Sequence, residues 1–218
     1  MASPTKKLTA RAQQAIETRE RIVAAAVKIF SETTYDDVAV GDIAKAAGVA
    51  HGLLFHYFGS KRGIYLEAMS GAAEELAAAF VFQPDLPPVE QLRHAVASHL
   101  RYLTENPGLA ERLILGGRGA DPLAWEVFEA ARWRAVEATA ELFGVDAGRP
   151  AVRMAGRAAV SAMDEAAIFW LHNDQPFGID EMVDWMVAMV AAVMREAIRL
   201  DPGMGIDQAL KELGRTPS

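Results

Sequence analysis

Residues 40–58 read VGDIAKAAGVAHGLLFHYF and contain two short helical patterns separated by Gly48. Glycine adopts positive φ without steric cost, so it lets a chain turn sharply between two helices. In the second pattern Leu54 and Phe58 are four residues apart, which places them on one inward-facing side of a helix. Two short helices joined by a tight glycine turn form a helix-turn-helix, and the stretch therefore predicts this motif.

An ordinary core hairpin of two helices is the alternative for the same stretch. Such a hairpin has no need of polar and aromatic side chains along an exposed side. Here the second helix and the residues after it carry His51, His56, Tyr57 and Lys61 on one side. We therefore favour the helix-turn-helix.

The segment from Thr18 to about Gly71 resembles the DNA-binding domain of the TetR family of bacterial transcriptional regulators. The resemblance is carried by TRERIVAAAVKIF, which starts at Thr18, and by TYDDVAVGDIAKAAGVAHGLLFHYFGSK, which starts at Thr34. It covers roughly the first third of the chain, and the rest is similar to the family only as an all-helical half. The resemblance implies a homodimeric regulator that binds double-stranded DNA at a near-palindromic operator and responds to a small molecule. Our interpretation is a repressor released from that operator by a mostly apolar effector.

The chain departs from the family pattern at several positions of the motif. Ala39 stands where a Ser or Thr normally caps the first helix, Gly41 where a basic or polar residue is common, and Phe55 where Tyr is frequent. A lost cap costs about 1 kcal/mol, and a Phe has no hydroxyl to donate to phosphate. These departures keep an alternative open: an all-helical small-molecule-binding protein with lost or weak DNA affinity.

Composition favours an all-α fold. Of the 218 residues 51% are hydrophobic, and none is Cys, which excludes disulfides and thiolate metal sites. Period-two runs of β-branched residues are absent. We expect an N-terminal three-helix helix-turn-helix domain and then a helical ligand-binding and dimerisation domain, with about nine helices, or ten with a short terminal one. The N-terminus lacks the apolar core of a signal peptide, and no uncharged apolar run is long enough to span a bilayer, so we expect a soluble cytoplasmic protein.

Charge is distributed unevenly along the chain. The net charge is -7, but residues 1–65 carry nine basic and six acidic side chains, whereas residues 66–218 carry thirteen and twenty-three. A basic head on an acidic body is expected when only the head touches phosphate.

Four segments follow from these patterns. We predict a flexible basic arm, a helix-turn-helix domain, a ligand-binding and dimerisation domain and a C-terminal tail, over residues 1–16, 17–62, 63–202 and 203–218. Breaks at Pro and Gly divide the chain after the motif into helices over about 61–80, 88–106, 109–115, 122–143, 151–172 and 180–200, with 206–213 as the short terminal one. The helix over 61–80 joins the head to the body, so its displacement would change the separation of the two heads.

The last two long helices, the eighth and ninth predicted, carry the expected dimer contact. In the ninth, Met182, Trp185, Met186 and Met189 cover more than one face. A helix that is apolar on two faces must bury both, and the second is best buried in a partner subunit about a two-fold axis. The alternative is a fully interior helix in a monomer.

Candidate DNA-binding residues come from the helix-turn-helix. We expect His51, Gly52 and Leu53 to approach base edges, with Leu53 against a thymine methyl, and His56, Tyr57 and Lys61 to contact phosphate. Lys45 of the first helix completes this set. No HExxH, GxSxG or clustered metal-ligand pattern is present, so we predict no cofactor, no metal and no enzymatic activity.

Candidate ligand-binding residues come from three helices of the second domain. A carboxylate in the apolar run AAVSAMDEAAIFWL is costly to bury unless paired, so we expect Asp164 to meet an Arg or a ligand in a cavity and Glu165 to face solvent or the interface. The alternative is that each aromatic simply fills the core. The candidates are His99, Tyr102, Leu103, Trp125, Phe128, Arg132, Trp133, Ser161, Asp164 and Ile168.

Overall fold

The structure is a computed structural model that describes residues 10–108 and 122–206, together with residues 210, 211 and 213. In these residues the chain forms eight α-helices, a short 3-10 helix over Pro202–Met204 and no strand. The α-helices are α1 (Ala10–Glu32), α2 (Val40–Ala47), α3 (His51–Phe58), α4 (Lys61–Ala78), α5 (Pro88–Glu105), α6 (Pro122–Leu142), α7 (Pro150–His172) and α8 (Ile179–Ala197).

The all-helical prediction is confirmed, and the predicted count of about nine helices is slightly too high for the described residues. The helix expected over 109–115 lies outside them. Of the short helix expected over 206–213, residue 206 is described and not helical, whereas residues 210, 211 and 213 are described and helical. The eighth and ninth predicted helices correspond to α7 and α8.

The chain divides into two compact units, Met1–Ala72 and Ala73–Ser218. The division falls inside α4, whose residues therefore contribute to both units. The predicted domain limits, with a boundary after residue 62, stay predictions.

The first unit is built around α1. Ile22 and Phe30 of α1 are buried together with Ile43 of α2, Leu54 of α3 and Ile64 of α4. Their burial removes apolar surface from water, which is the main stabilising contribution for helices as short as α2 and α3.

Residues 10–16, which we predicted as part of a flexible arm over 1–16, belong to α1, and residues 1–9 lie outside the described residues. The sequence ARAQQA over 10–15 consists of good helix formers. The hydroxyl of Thr18 donates to the carbonyl of Gln14 at 2.8 Å, one turn earlier in the same helix. The basic and polar composition that suggested an arm is equally that of a solvated helix.

Gly48 turns the chain between α2 and α3. It has φ 65° and ψ 39°, in the left-handed region, and the N–H of Val49 donates to the carbonyl of Ala44 at 3.0 Å. Ala39 at the start of α2 makes no side-chain cap, as its sequence predicted. After α3, Ser60 stands immediately before α4, where a Ser is a preferred N-cap, and its hydroxyl accepts a hydrogen bond from the N–H of Gly63 at 3.1 Å.

The second unit packs α5, α6, α7 and α8 around an apolar interior. Helices α6 and α7 run antiparallel: Arg132 in the middle of α6 pairs with Asp164 in the second half of α7, and Ala140 late in α6 shares a buried cluster with Val152 early in α7. Helices α7 and α8 pack against each other, as do α5 and α8. Arg149 binds Asp201 through two nitrogens at 2.7 and 2.5 Å, which ties the start of α7 to the segment after α8. Across the described residues, none of the helices is both long and apolar enough to cross a membrane.

Candidate nucleic-acid interface and ligand cavity

Helix α3 has one buried side and one exposed side. Leu54 is fully buried on the inward side, whereas His51, Gly52, Phe55 and His56 are exposed. The rings of His51 and Phe55 lie edge to face with centroids 5.3 Å apart. Both rings belong to exposed residues of α3. The exposed side of α3 is therefore a polar and aromatic ridge on the first unit.

The remaining DNA-binding candidates differ in their exposure and in the contacts that they already make. Lys45 on α2 is exposed, and Leu53 and Tyr57 on α3 are half-buried. The ammonium of Lys61 donates to the carbonyl of Asp36 at 3.1 Å and lies 4.8 Å from the centre of the Tyr35 ring. A phosphate contact by Lys61 would share these contacts or replace them, so this lysine has the weakest structural support of the seven candidates.

The second unit contains an elongated cavity. Its volume is about 160 Å³. Residues of α7 line it from Val152 to Ala167, a length of about 22 Å at 1.5 Å per residue. The wall is mostly Ala, Val, Leu, Met and Phe, which suits an apolar occupant.

Arg132 forms the charged part of the cavity wall. Its guanidinium pairs with Asp164 and, at 2.6 Å, with Glu129, while Glu129 also binds Arg157 at 2.9 Å. The guanidinium carbon lies 5.1 Å from the centre of the Phe128 ring, a cation–π distance. Arg132 Nε is buried and has no hydrogen-bond partner among the described residues. The guanidinium is thus fixed, with one donor left over.

His99 is another ionisable residue of the cavity wall, and its imidazole is deeply buried. Burial lowers its pKa from 6.5 to about 4, and a hydrogen bond with the backbone of Leu76 offsets this only in part. The ring is therefore neutral at neutral pH. Its Nδ1 has no partner in the described part of the chain, and a buried polar atom without a partner costs about 1–3 kcal/mol.

The structure brings four of the ten ligand candidates into the cavity wall: His99, Phe128, Arg132 and Asp164. Glu165, expected at solvent or the interface, is exposed. Leu103 and Ile168 are buried elsewhere in the core. Trp125 and Ser161 lie behind the wall against Arg132, at 5.7 Å and 3.4 Å.

Two aromatic candidates make contacts away from the cavity. The hydroxyl of Tyr102 donates to Glu75 at 3.1 Å, and burial, with the charge of Glu75, raises the pKa of Tyr102. Trp133 donates to Glu137 at 2.5 Å, and the guanidinium of Arg153 lies over its ring. Helical spacing alone could not assign these rings to a face, because neighbouring aromatics on α6 point in different directions.

Our sequence interpretation missed the cavity residues contributed by α8. Met186, Val190 and Met194 line the wall at intervals of four residues, and Ile206 closes it from beyond α8. The spacing was visible in the sequence, but the same apolar pattern is equally compatible with an interior seam between helices. Gly156 was also missed. A Cβ atom there would lie 2.5 Å from Val136 Cγ1, so the glycine lets α6 and α7 approach closely.

A stripe on α7 and α8 remains exposed in the single chain. Met154 and Phe169 on α7 are 54% and 58% exposed, and Trp185 on α8 is 51% exposed. Exposed Ala158 lies between the first two, and exposed Ala188 and Ala192 follow Trp185 on the same side of α8. Large apolar side chains beside small ones form a surface that another helix pair can approach closely.

Comparison with known proteins adds independent findings. The family described as "Bacterial regulatory proteins, tetR family" matches residues 22–68, which include α2 and α3. The transcriptional activator FasR of Mycolicibacterium smegmatis is 26% identical over 176 residues, which are 78% of this chain and 80% of FasR.

Two solved structures extend the likeness beyond the first unit. A tetR-family transcriptional regulator from Streptomyces coelicolor has a TM-score of 0.77 at 23% identity, covering 91% of this chain and 88% of its own. The TetR family transcriptional regulator PfmR of Thermus thermophilus is 30% identical with a TM-score of 0.54, covering 78% of this chain and 97% of its own.

Proposed function

Because this chain belongs to the TetR family, whose members are DNA-binding transcriptional regulators, we propose that it is a homodimeric repressor released from its operator by a mostly apolar small molecule. The DNA-binding part of the proposal is supported chiefly by the exposed ridge of α3, which faces away from the core because Leu54 on the opposite side is buried. The part of the proposal that concerns the effector is supported by the elongated apolar cavity in the second unit.

Base reading is assigned to the start of the ridge. His51 offers ring nitrogens to base edges, Gly52 permits close approach because it has no side chain, and Leu53 provides a methyl contact to thymine. Exposed Lys45 and His56, half-buried Tyr57, and Lys61 after release from Asp36 are assigned to phosphate. In this assignment the phosphate contacts position α3 in the major groove, and the first residues of α3 specify sequence.

Helix α4 is the proposed connection between the two functions. Its first part packs in the core of the first unit through Ile64 and Ala68, and its last part lines the cavity through Ala73, Leu76 and Ala77. An effector that favours a different position of α4 would change the separation of the two α3 helices in a dimer. It can do so only as far as it binds the DNA-incompetent state more tightly than the competent one.

The sign of regulation is part of the proposal, because the relative FasR is named an activator. A repressor and an activator of this fold differ in where the operator lies relative to the promoter, and the protein surface carries no such information. Repression is therefore tested with the regulated promoter itself, where deletion of the protein should raise transcription.

Selection of DNA from a random duplex library by the purified protein tests the DNA-binding proposal. We expect a near-palindromic winner whose affinity falls steeply with salt, because released counterions drive phosphate contacts. His51→Ala should relax the base preference, whereas Lys45→Gln should weaken binding to all sequences similarly. Enrichment of no sequence would instead favour an all-helical small-molecule-binding protein with weak DNA affinity.

A further inference from the structure

The cavity has two chemically different ends. Asp164, paired with Arg132, and Val152 are both on α7 and about 18 Å apart at 1.5 Å per residue. Around Val152 the wall is apolar, with Phe143 and Ile206 beside it. An occupant that satisfies both ends is elongated, with polar atoms toward Arg132 and a hydrocarbon part toward Ile206.

The charges in the wall cancel. Among the described residues that line the cavity, Arg132, Asp164 and His99 are the only ones with ionisable side chains. Arg132 and Asp164 form an ion pair, and His99 is neutral because its burial lowers its pKa to about 4. Glu129 and Arg157, behind Arg132, form a second pair. A charged occupant would lose its hydration without finding an uncompensated opposite charge, which is costly in an enclosed apolar space.

Hydrogen-bonding capacity is nevertheless left over. Arg132 Nε carries an N–H without an acceptor, and His99 Nδ1 has no partner within the described residues. Both residues line the cavity. By contrast, the hydroxyl of Thr139, also in the wall, already donates to the carbonyl of Ala135 at 2.8 Å. The polar atoms without a hydrogen-bond partner therefore belong to Arg132 and His99, whereas Thr139 in the same wall is already bonded.

From the balanced charges and these two open positions, we infer that the effector is an uncharged, elongated amphiphile whose polar group is of the hydroxyl or amide type. Such groups both accept and donate hydrogen bonds, so they match the guanidinium N–H and either tautomer of the neutral imidazole. A carboxylate would meet Asp164 and Glu129 as like charges, and an ammonium would meet Arg132. This inference rests on the proposed function, since it names the chemical class of the effector at that cavity.

Calorimetric titration of the full chain with four probes of equal chain length tests the inference at neutral pH. The probes are dodecanol, dodecanamide, dodecanoate and dodecylamine. We expect the alcohol and the amide to bind at least about tenfold more tightly than the two ions, because a charged head is desolvated without a counter-charge. Dodecanoate or dodecylamine binding as tightly as dodecanol would overturn the inference, and so would failure of all four to bind.

Three variants locate the polar group. His99→Leu removes the imidazole, and Arg132→Lys keeps the charge but removes Nε; each should weaken dodecanol about tenfold, the value of one buried hydrogen bond. Thr104→Val removes a hydroxyl of α5 that is not in the cavity wall and already donates to the carbonyl of Leu100 at 2.9 Å, and it should leave dodecanol affinity unchanged. Equal affinities in all three variants and the wild type would refute the assignment.

The same titration separates this inference from the proposed function, because binding is measured without DNA. Tight and selective binding of the alcohol with no change in operator affinity would refute the proposed release and leave the assignment of the polar group standing. Operator release by dodecanoate but not by dodecanol would support the proposed release and refute the inference of an uncharged effector.

Discussion

At the scale of single residues, several groups of this chain have surroundings that change their ordinary chemistry. His99 is a histidine kept neutral by enclosure, and Arg132 is a cation whose charge is cancelled by Asp164 while one N–H stays open. Gly48 holds a left-handed conformation that other residues adopt only with strain. Each of these properties has a measurable consequence.

The lowered pKa of His99 predicts a pH dependence of stability. Between pH 6.5 and about 4 the unfolded chain binds a proton at His99 that the folded chain does not, so stability falls as pH decreases through this window. The loss from this residue is up to about 3 kcal/mol. Urea unfolding at pH 7 and pH 4.5 should show a smaller loss for His99→Leu than for the wild type, with Thr139→Val keeping the wild-type loss. Parallel pH profiles for His99→Leu and wild type would contradict a neutral, enclosed histidine.

Two glycines of the motif should respond oppositely to alanine. Gly48→Ala forces a Cβ into the left-handed region and should destabilise the fold by about 1 kcal/mol. Gly52 lies inside α3 with open space around it, so Gly52→Ala should stabilise the fold by about 0.5–1 kcal/mol while lowering operator affinity. Thermal unfolding and DNA titration of both variants measure these effects. A Gly52→Ala protein that binds its operator as well as the wild type would remove Gly52 from the base-reading set.

At the scale of helices, the approach of α6 to α7 determines the width of the cavity. The two helices approach closely at Gly156, where Val136 occupies the space a Cβ would need, and they are also joined by the Arg132–Asp164 ion pair. A buried ion pair is weak evidence for stability, but removal of one partner leaves an uncompensated charge. The pair therefore fixes the relative position of α6 and α7 more than it strengthens the fold.

Gly156→Ala is predicted to separate these helices. The new Cβ would lie 2.5 Å from Val136 Cγ1, and the overlap should cost about 1–3 kcal/mol in the free energy of unfolding. Val136→Ala removes the obstructing methyls, so the double variant should regain part of the loss. Gly71→Ala is a matched control, because its Cβ would lie at an ordinary 3.4 Å from Val23. Strictly additive losses in a double-mutant cycle would show that the two positions are not in contact.

At the scale of the whole molecule, the single chain leaves apolar surface uncovered on α7 and α8. Met154, Phe169 and Trp185 are all more than half exposed, and the residues between them include small alanines. A second copy offering the same stripe about a two-fold axis would bury it as a four-helix interface. This interface is proposed, and it supplies the second α3 that a palindromic site requires.

Trp185→Glu should shift the protein from dimer to monomer. A charge in the centre of an apolar interface is left desolvated and unpaired, so dissociation should increase by at least about tenfold. Operator affinity should fall with it, since one α3 reads too few bases. Val81→Glu, at a 48% exposed apolar residue between α4 and α5, is the control and should change neither quantity. Sedimentation of both variants decides the matter: a dimer unaffected by Trp185→Glu would place the interface elsewhere.

The helical class, the turn at Gly48, the inward side of α3 and the cap at Ser60 could all be predicted from local sequence. These features depend on residues within one or two helical turns of each other, so local periodicity and backbone preference are sufficient to predict them. The same local information also gave the basic head on an acidic body, because charge is counted without knowing the fold.

Which side chains share the cavity depends on how the helices pack, and it could not be predicted from the sequence. His99, Arg132 and Asp164 lie on three different helices, and Trp133 and Tyr102, equally good candidates by spacing, make contacts elsewhere. Met186, Val190 and Met194 had the pattern of an ordinary core seam. The rotation of each helix about its axis is fixed by close packing with its neighbours, as Gly156 against Val136 illustrates, and a helix's own sequence does not contain that information.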